Sequence, residues 1–135
     1  MKVLIDTNII LDVLCNRSEF IEDSIKIFKL CEVKKITGYI SSLSIPNIIY
    51  IMRKELDKNK VKEIIEKLSI IFNIIDLKFD DLKKATILNI EDYEDAIQSA
   101  QASRIKANYI ITRNVKDYNN SKISAIKPSE LIDRL

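Results

Sequence analysis

The stretch that decides the fold is Met1-Lys-Val-Leu-Ile-Asp-Thr-Asn8, followed by the apolar helical pattern Ile9, Ile10, Val13, Leu14. Lys2 to Ile5 reads as a short buried β-strand, and Asp6 stands at its C-terminal lip. In open α/β sheets that lip is where ligands bind. An acidic side chain there suits a cation or a metal-held phosphate, yet Asp6-Thr7-Asn8 equally suits the cap of the following helix. Convergence of other acidic residues on the same spot separates the two readings.

Working outward, helical periodicity dominates. Ile21, Ile25, Phe28 and Cys31 line one face of a helix from about Glu19 to Lys34. Tyr39 and Ile40 make a second strand, introduced by Thr37 and Gly38. The run Ser42-Leu-Ser-Ile-Pro46 predicts a helix start with a serine as cap and the proline in the first turn. Lys60 to Leu68 reads as a further helix and Ile70 to Ile75 as a strand. Helices over about Asp80–Leu88 and Glu91–Ile105 follow. Tyr109 to Thr112 is a fourth strand, Ile123 to Ile126 a fifth, and Pro128 opens a terminal helix. Short apolar strands separated by helices predict an α/β three-layer sandwich, its parallel four- to five-stranded sheet covered by helices on both faces.

Composition narrows the chemistry. The 135 residues fit one domain, spanning 1–135, and 47% hydrophobic content supplies its core. A formal charge of only +2 gives no basic field over the whole protein. The chain contains no His, which removes imidazole bases, Ser-His-Asp triads and His-ligated zinc. Cys15 and Cys31 are too few for a four-cysteine zinc site, and the single glycine, Gly38, excludes a Gly-rich phosphate loop. Carboxylate, amide, hydroxyl and Lys/Arg groups remain, and hard oxygen donors of that sort select Mg²⁺ or Mn²⁺. Asp6 interrupts the first apolar run too early for a signal peptide, and no run reaches the ~18 residues of a membrane span. Two free-looking cysteines fit a reducing cytoplasm, so a cytoplasmic protein is expected.

With right-handed crossovers, Asp6-Thr7-Asn8, Ser41-Ser42 and Thr112-Arg113-Asn114 all follow strand ends on one edge of the sheet. Only Lys106-Ala107-Asn108 separates the helix ending at Ile105 from the strand at Tyr109, so that helix runs antiparallel to the strand. Its acidic start, Glu91-Asp92-Tyr93-Glu94-Asp95, then reaches the same edge, with Asp92 and Asp95 on nearly one helix face. Acidic residues in a first turn also complement the helix dipole, so capping competes with ligation here too.

At this point the chain resembles the PIN domain, a metal-dependent ribonuclease family, over essentially its whole length. Leu4 to Asp12, Ile40 to Tyr50, Asp92 to Gln98 and Ile110 to Tyr118 match its four motifs in order and spacing. Small single-domain members of this kind resemble the toxin half of VapC-type toxin–antitoxin pairs. The resemblance implies Mg²⁺ or Mn²⁺ as cofactor, RNA as substrate, a cognate antitoxin and a homodimer. It also implies in-line hydrolysis that leaves a 3′-hydroxyl and a 5′-phosphate. Carried over by residue, Asp6 takes the first metal-binding position and Asp95 the third. The second falls at Asn47 and the fourth at Asn114, with Asp117 one turn further on as the substitute acid, and Asp92 and Glu94 as partial compensation. The catalytic set is thus Asp6, Asp95 and Asp117, with Asn114 and Asn47 as neutral ligands. With no His, the base is either a hydroxide held by the metal or a carboxylate such as Asp95. Thr7, Asn8, Asp92 and Thr112 support that set or simply cap, and Arg113 and Lys116 flank it to grip RNA phosphates. Tyr93, Tyr109 and Tyr118 suit base stacking or packing. Asp12 reads as a solvated residue about a turn and a half beyond Asp6. The two amides leave a second reading open, a catalytically weak or inactive relative that binds RNA or a partner protein.

Overall fold

A computed structural model describes all 135 residues. Its strands are β1 (Lys2–Ile5), β2 (Thr37–Ser41), β3 (Asn73–Ile75), β4 (Tyr109–Ile111) and β5 (Ala125–Ile126). They form one sheet in the order β3-β2-β1-β4-β5, and every pairing is parallel. The helices are α1 (Thr7–Leu14), α2 (Ile21–Glu32), α3 (Ser44–Ile51), α4 (Lys58–Ile71), α5 (Phe79–Ile87), α6 (Tyr93–Arg104) and α7 (Pro128–Asp133). The expected α/β sandwich is what the chain forms.

Both faces of the sheet are buried, which is why its strands are apolar without alternation. Val3, Ile5, Ile40 and Ile111 pack on the side of α1, α2 and α3, in the larger core. Leu4 and Ile110 point the other way, onto Ala102 of α6 and Tyr118. A third cluster, Ala85, Ile90, Ala96 and Ile97, joins α5 to α6. Arg104 locks that pair from the far end, donating to both oxygens of the buried Asp81 at 3.0 Å. No helix is long and apolar enough to cross a membrane.

The strand order places the switch in winding direction between β1 and β4, the crevice where α/β sheets bind ligands. Register there sets Ile5 against Ile111, so the Asp6 amide donates to the Ile111 carbonyl at 2.9 Å and Asp6 faces Thr112. The short link from α6 to β4 does return the chain antiparallel. Lys106 takes a left-handed conformation, φ 56°, and the Asn108 amide donates to the Lys2 carbonyl at 2.7 Å.

Three local expectations are corrected. The segment 70–75 is not all strand: α4 runs on to Ile71, because Val61, Ile64, Leu68 and Ile71 continue one helical face, and only Asn73–Ile75 pairs with β2. No serine caps α3. Ser41 Oγ instead accepts from the Leu43 amide at 3.1 Å, and Ser44 Oγ shares a 2.6 Å hydrogen bond with Thr7 Oγ1. Asp12 is not solvated but 0% exposed. Arg113 Nε donates to it at 2.8 Å, with Arg17 at 3.4 Å on its other oxygen. The Arg113 guanidinium also lies 4.0 Å from the Phe20 ring centre. This clamp ties α1 to the segment after β4 and to the approach to α2.

Removing one side of a buried ion pair strands the other charge, so Asp12→Ala is expected to cost about 3–5 kcal/mol in denaturant unfolding. A loss under about 1 kcal/mol would contradict the clamp. A Cβ on Gly38 would lie 2.5 Å from Cys31 Sγ and 2.9 Å from Phe72 Cδ1, where α2 and the end of α4 press on β2. Gly38→Ala is therefore expected to cost about 1–3 kcal/mol by overpacking, partly recovered in combination with Cys31→Ala.

Candidate active site

One cavity of about 470 Å³ opens at the C-terminal edge of the sheet. Asp6, Thr7 and Asn8 line it from the start of α1, Asn47, Tyr50 and Ile51 from α3, Asp92, Glu94, Asp95 and Gln98 from α6, and Asn114 and Asp117 from the segment after β4. Five carboxylates from three separate segments therefore face one space, and no Lys or Arg is among its walls.

Asp6 is held most firmly. It is 4% exposed; Thr112 Oγ1 donates to its Oδ2 at 2.7 Å and Gln98 Nε2 to its Oδ1 at 3.4 Å. Burial raises its pKa, and the hydrogen bonds from Thr112 and Gln98 oppose the rise. Thr112 is itself oriented by the Asn114 amide, which donates to its Oγ1 at 3.1 Å. Asp92 caps α6 by accepting from the Asp95 amide at 3.0 Å and also faces the cavity, so capping and lining are not alternatives.

Asp95 sits among like charges. Burial first, then the charges of Asp6 and Asp92, push its carboxyl up to about 7, with Asp117 adding to the rise and a hydrogen bond from Tyr118 opposing it. Tyr118 OH donates to Asp95 Oδ1 at 3.2 Å. Asn47, at the neutral second position, donates through Nδ2 to Glu94 Oε2 at 3.1 Å. Its amide thereby ties a carboxylate of α6 to α3 at the cavity wall.

The donor set suits a hard divalent cation. All its members are oxygen or amide groups, their negative charges have no cationic partner, and Gln98 Oε1 is a buried carbonyl oxygen without a hydrogen-bond partner in the cavity wall. No three acidic side chains approach closely enough to cage an ion unaided. Mg²⁺ does not require such a cage, since it keeps several waters and uses one or two carboxylates.

The two basic residues expected beside the site part company. Lys116 is exposed and lines an adjoining groove with Asp92, Asp95 and Asp117. Arg113 faces away, spent on Asp12 and Phe20, because a buried carboxylate outbids solvent for the guanidinium. Of the tyrosines, Tyr118 is buried, Tyr109 carries Arg134 at 2.8 Å from its hydroxyl, and Tyr93 donates to the Leu82 carbonyl at 3.0 Å. The sequence reading missed Gln98. Its signal was position: it follows Asp95 by three residues, on the same helix face.

Comparison with known proteins agrees with this fold. Among solved structures the chain is similar to VapBC2 from Rickettsia felis bound to a DNA fragment from its promoter, at 17% identity and a TM-score of 0.72, covering 94% of this chain and 98% of that one. It is similar to a toxin–antitoxin complex from Klebsiella pneumoniae at 23% identity and a TM-score of 0.72, covering 93% and 97%. DNA-bound VapBC from Salmonella typhimurium gives 17% identity and a TM-score of 0.71, covering 95% and 98%. At such identities the likeness is one of fold. A search of curated protein sequences finds no match. The family model for the PIN domain, however, matches residues 2–116, the stretch that contains every wall of the cavity except Asp117. The chain belongs to the PIN-domain family.

Proposed function

We propose that this chain is a divalent-cation-dependent ribonuclease and the toxin half of a toxin–antitoxin pair. The observation that carries the reading is the cavity itself: five carboxylates on one sheet edge with no basic residue among them. Such a site repels a phosphodiester unless cations intervene. When bound, a Mg²⁺ or Mn²⁺ ion supplies the positive charge and Lewis acidity that phosphodiester hydrolysis needs. Asp6, Asp95 and Asp117 would hold it, with Asn114 as a neutral donor and Glu94, steadied by Asn47, in place of an acid on α3. Thr7, Asn8, Asp92 and Thr112 keep these groups in place. Lys116 is the cation near enough to meet a phosphate of the RNA; Arg113 keeps a structural task instead.

The similarity to toxin–antitoxin complexes supports an antitoxin partner. Tyr50 and Ile51, both exposed at the cavity rim, offer apolar surface to a helix laid across it. A homodimer and a cytoplasmic location complete the reading. The neutral side chains at Asn47 and Asn114 favour one competitor, a relative that binds RNA without turning it over.

Purified protein with structured RNAs separates the two. Cleavage is expected with Mg²⁺ or Mn²⁺ and not with EDTA, and Asp6→Asn or Asp95→Asn is expected to lower it at least about 100-fold, about 2.7 kcal/mol of transition-state stabilisation, with an unchanged fold. RNA binding without turnover selects the competitor, and metal-dependent cleavage retained by both variants overturns the assignment.

Burial of Asp95, with the charges around it, also makes stability depend on pH. Unfolded, the Asp95 carboxyl titrates near 3.8; folded, near 7. Between those values the folded chain keeps a proton that the unfolded chain has released. This contribution is complete below pH 3.8 and is lost as pH rises through about 7. In EDTA the Tm is therefore expected to fall between pH 5 and 8, and to fall less in Asp95→Asn. Added Mg²⁺ is expected to raise Tm more at pH 8 than at pH 5. Equal Mg²⁺ effects at both pH values would contradict the assignment of Asp95.

A further inference from the structure

Two buried polar side chains connect Asp6 to Asp95. Gln98 Nε2 donates to Asp6 Oδ1 at 3.4 Å and to Tyr118 OH at 3.3 Å, and Tyr118 OH donates to Asp95 Oδ1 at 3.2 Å. With both carboxylates ionised, as a bound cation requires, the direction of every bond is determined. Ionised carboxylates only accept, and the phenol has one proton, which goes to Asp95. Its oxygen must then accept from the amide, so both Gln98 N–H groups are engaged. Flipping the amide would set Oε1 against a carboxylate and break both bonds. Burial, with the charges of Asp6 and Asp95, pushes the Tyr118 phenol well above its ordinary pKa, so the donated proton stays in place.

The arrangement costs the core something. Gln98 and Tyr118 are each 3% exposed, and Gln98 Oε1 has no partner at all. Leu and Phe would fill the same space without dehydrating polar atoms. The two carboxylates buried elsewhere in the protein are treated differently: Asp12 is paired with Arg113 and Arg17, and Asp81 with Arg104. Arginine neutralises what it orients. An amide and a phenol orient a carboxylate and leave its negative charge available.

We propose that Gln98 and Tyr118 are positioning residues that hold the Asp6 and Asp95 carboxylates in one mutual orientation, ready to share a cation. The inference rests on the reading that these two aspartates bind a divalent ion. Groups that orient ligands in this way typically govern metal affinity by 10–100-fold.

The test uses the full chain without RNA, in the wild type, Gln98→Leu, Tyr118→Phe and the double variant, and follows Mn²⁺ binding by the EPR signal of the free ion together with Tm. Each single variant is expected to weaken Mn²⁺ binding at least about 10-fold while Tm is unchanged or higher. The double variant is expected to lose less than the product of the two, because both act through one chain. Wild-type affinity in both single variants overturns the inference and leaves the metal site standing. Weakened binding accompanied by a large fall in Tm in both shows a packing role and also overturns it. Failure of the wild-type protein to bind Mn²⁺ removes the reading of the site, and the inference with it.

Discussion

Uncompensated negative charge is the constraint on which the rest of this structure depends. Buried and half-buried carboxylates in this chain fall into two kinds. Asp12 and Asp81 are neutralised by arginine and act as internal ties, one holding α1 to the segment after β4, the other α5 to α6. Asp6 and Asp95 receive only hydroxyl, phenol and amide donors, and face three further carboxylates across one cavity. Folding brings like charges together without cations of its own, which is unfavourable unless a cation arrives from solution. Burial first, and then these neighbouring charges, raise the pKa of Asp95.

Topology produces the crowding. A sheet wound outward from β1 in both directions leaves the ends of β1 and β4 side by side, with a crevice where the helices diverge. The register of that one parallel pair puts Asp6 opposite Thr112, and the tight return from α6 to β4 lays the start of α6 over the same edge. The site is thus assembled from chain ends of rigid elements rather than from a long loop. Its geometry is inherited from the apolar core beneath that edge, where Val3, Ile5, Ile40 and Ile111 hold the strands. The two ties at Asp12 and Asp81 serve the same end, since each fixes an element that carries cavity walls.

Much of this was legible in the amino-acid order, for identifiable reasons. Strand positions could be read because doubly buried strands are continuous apolar runs, and the common edge followed from crossover handedness. The orientation of α6 followed from the length of one link. What escaped the reading was decided by long-range partners. Asp12 looks solvated along α1 because its acceptor role is satisfied by Arg113, 101 residues later. Arg113 looks like a phosphate ligand beside Thr112 for the same reason in reverse. The strand expected at Ile70 lost to the helical face of α4, a periodicity that a short run of Ile and Phe conceals. Gln98 depends on its contact to Tyr118, and the tie of Glu94 to Asn47 likewise joins distant residues, which no local pattern encodes.

Anomalous diffraction from crystals of the protein soaked in Mn²⁺ shows whether Asp6 and Asp95 share a cation. The account requires a manganese peak in the cavity, within coordination distance of carboxylate oxygens of both Asp6 and Asp95. Manganese bound only elsewhere on the surface, with those two carboxylates empty, would contradict it.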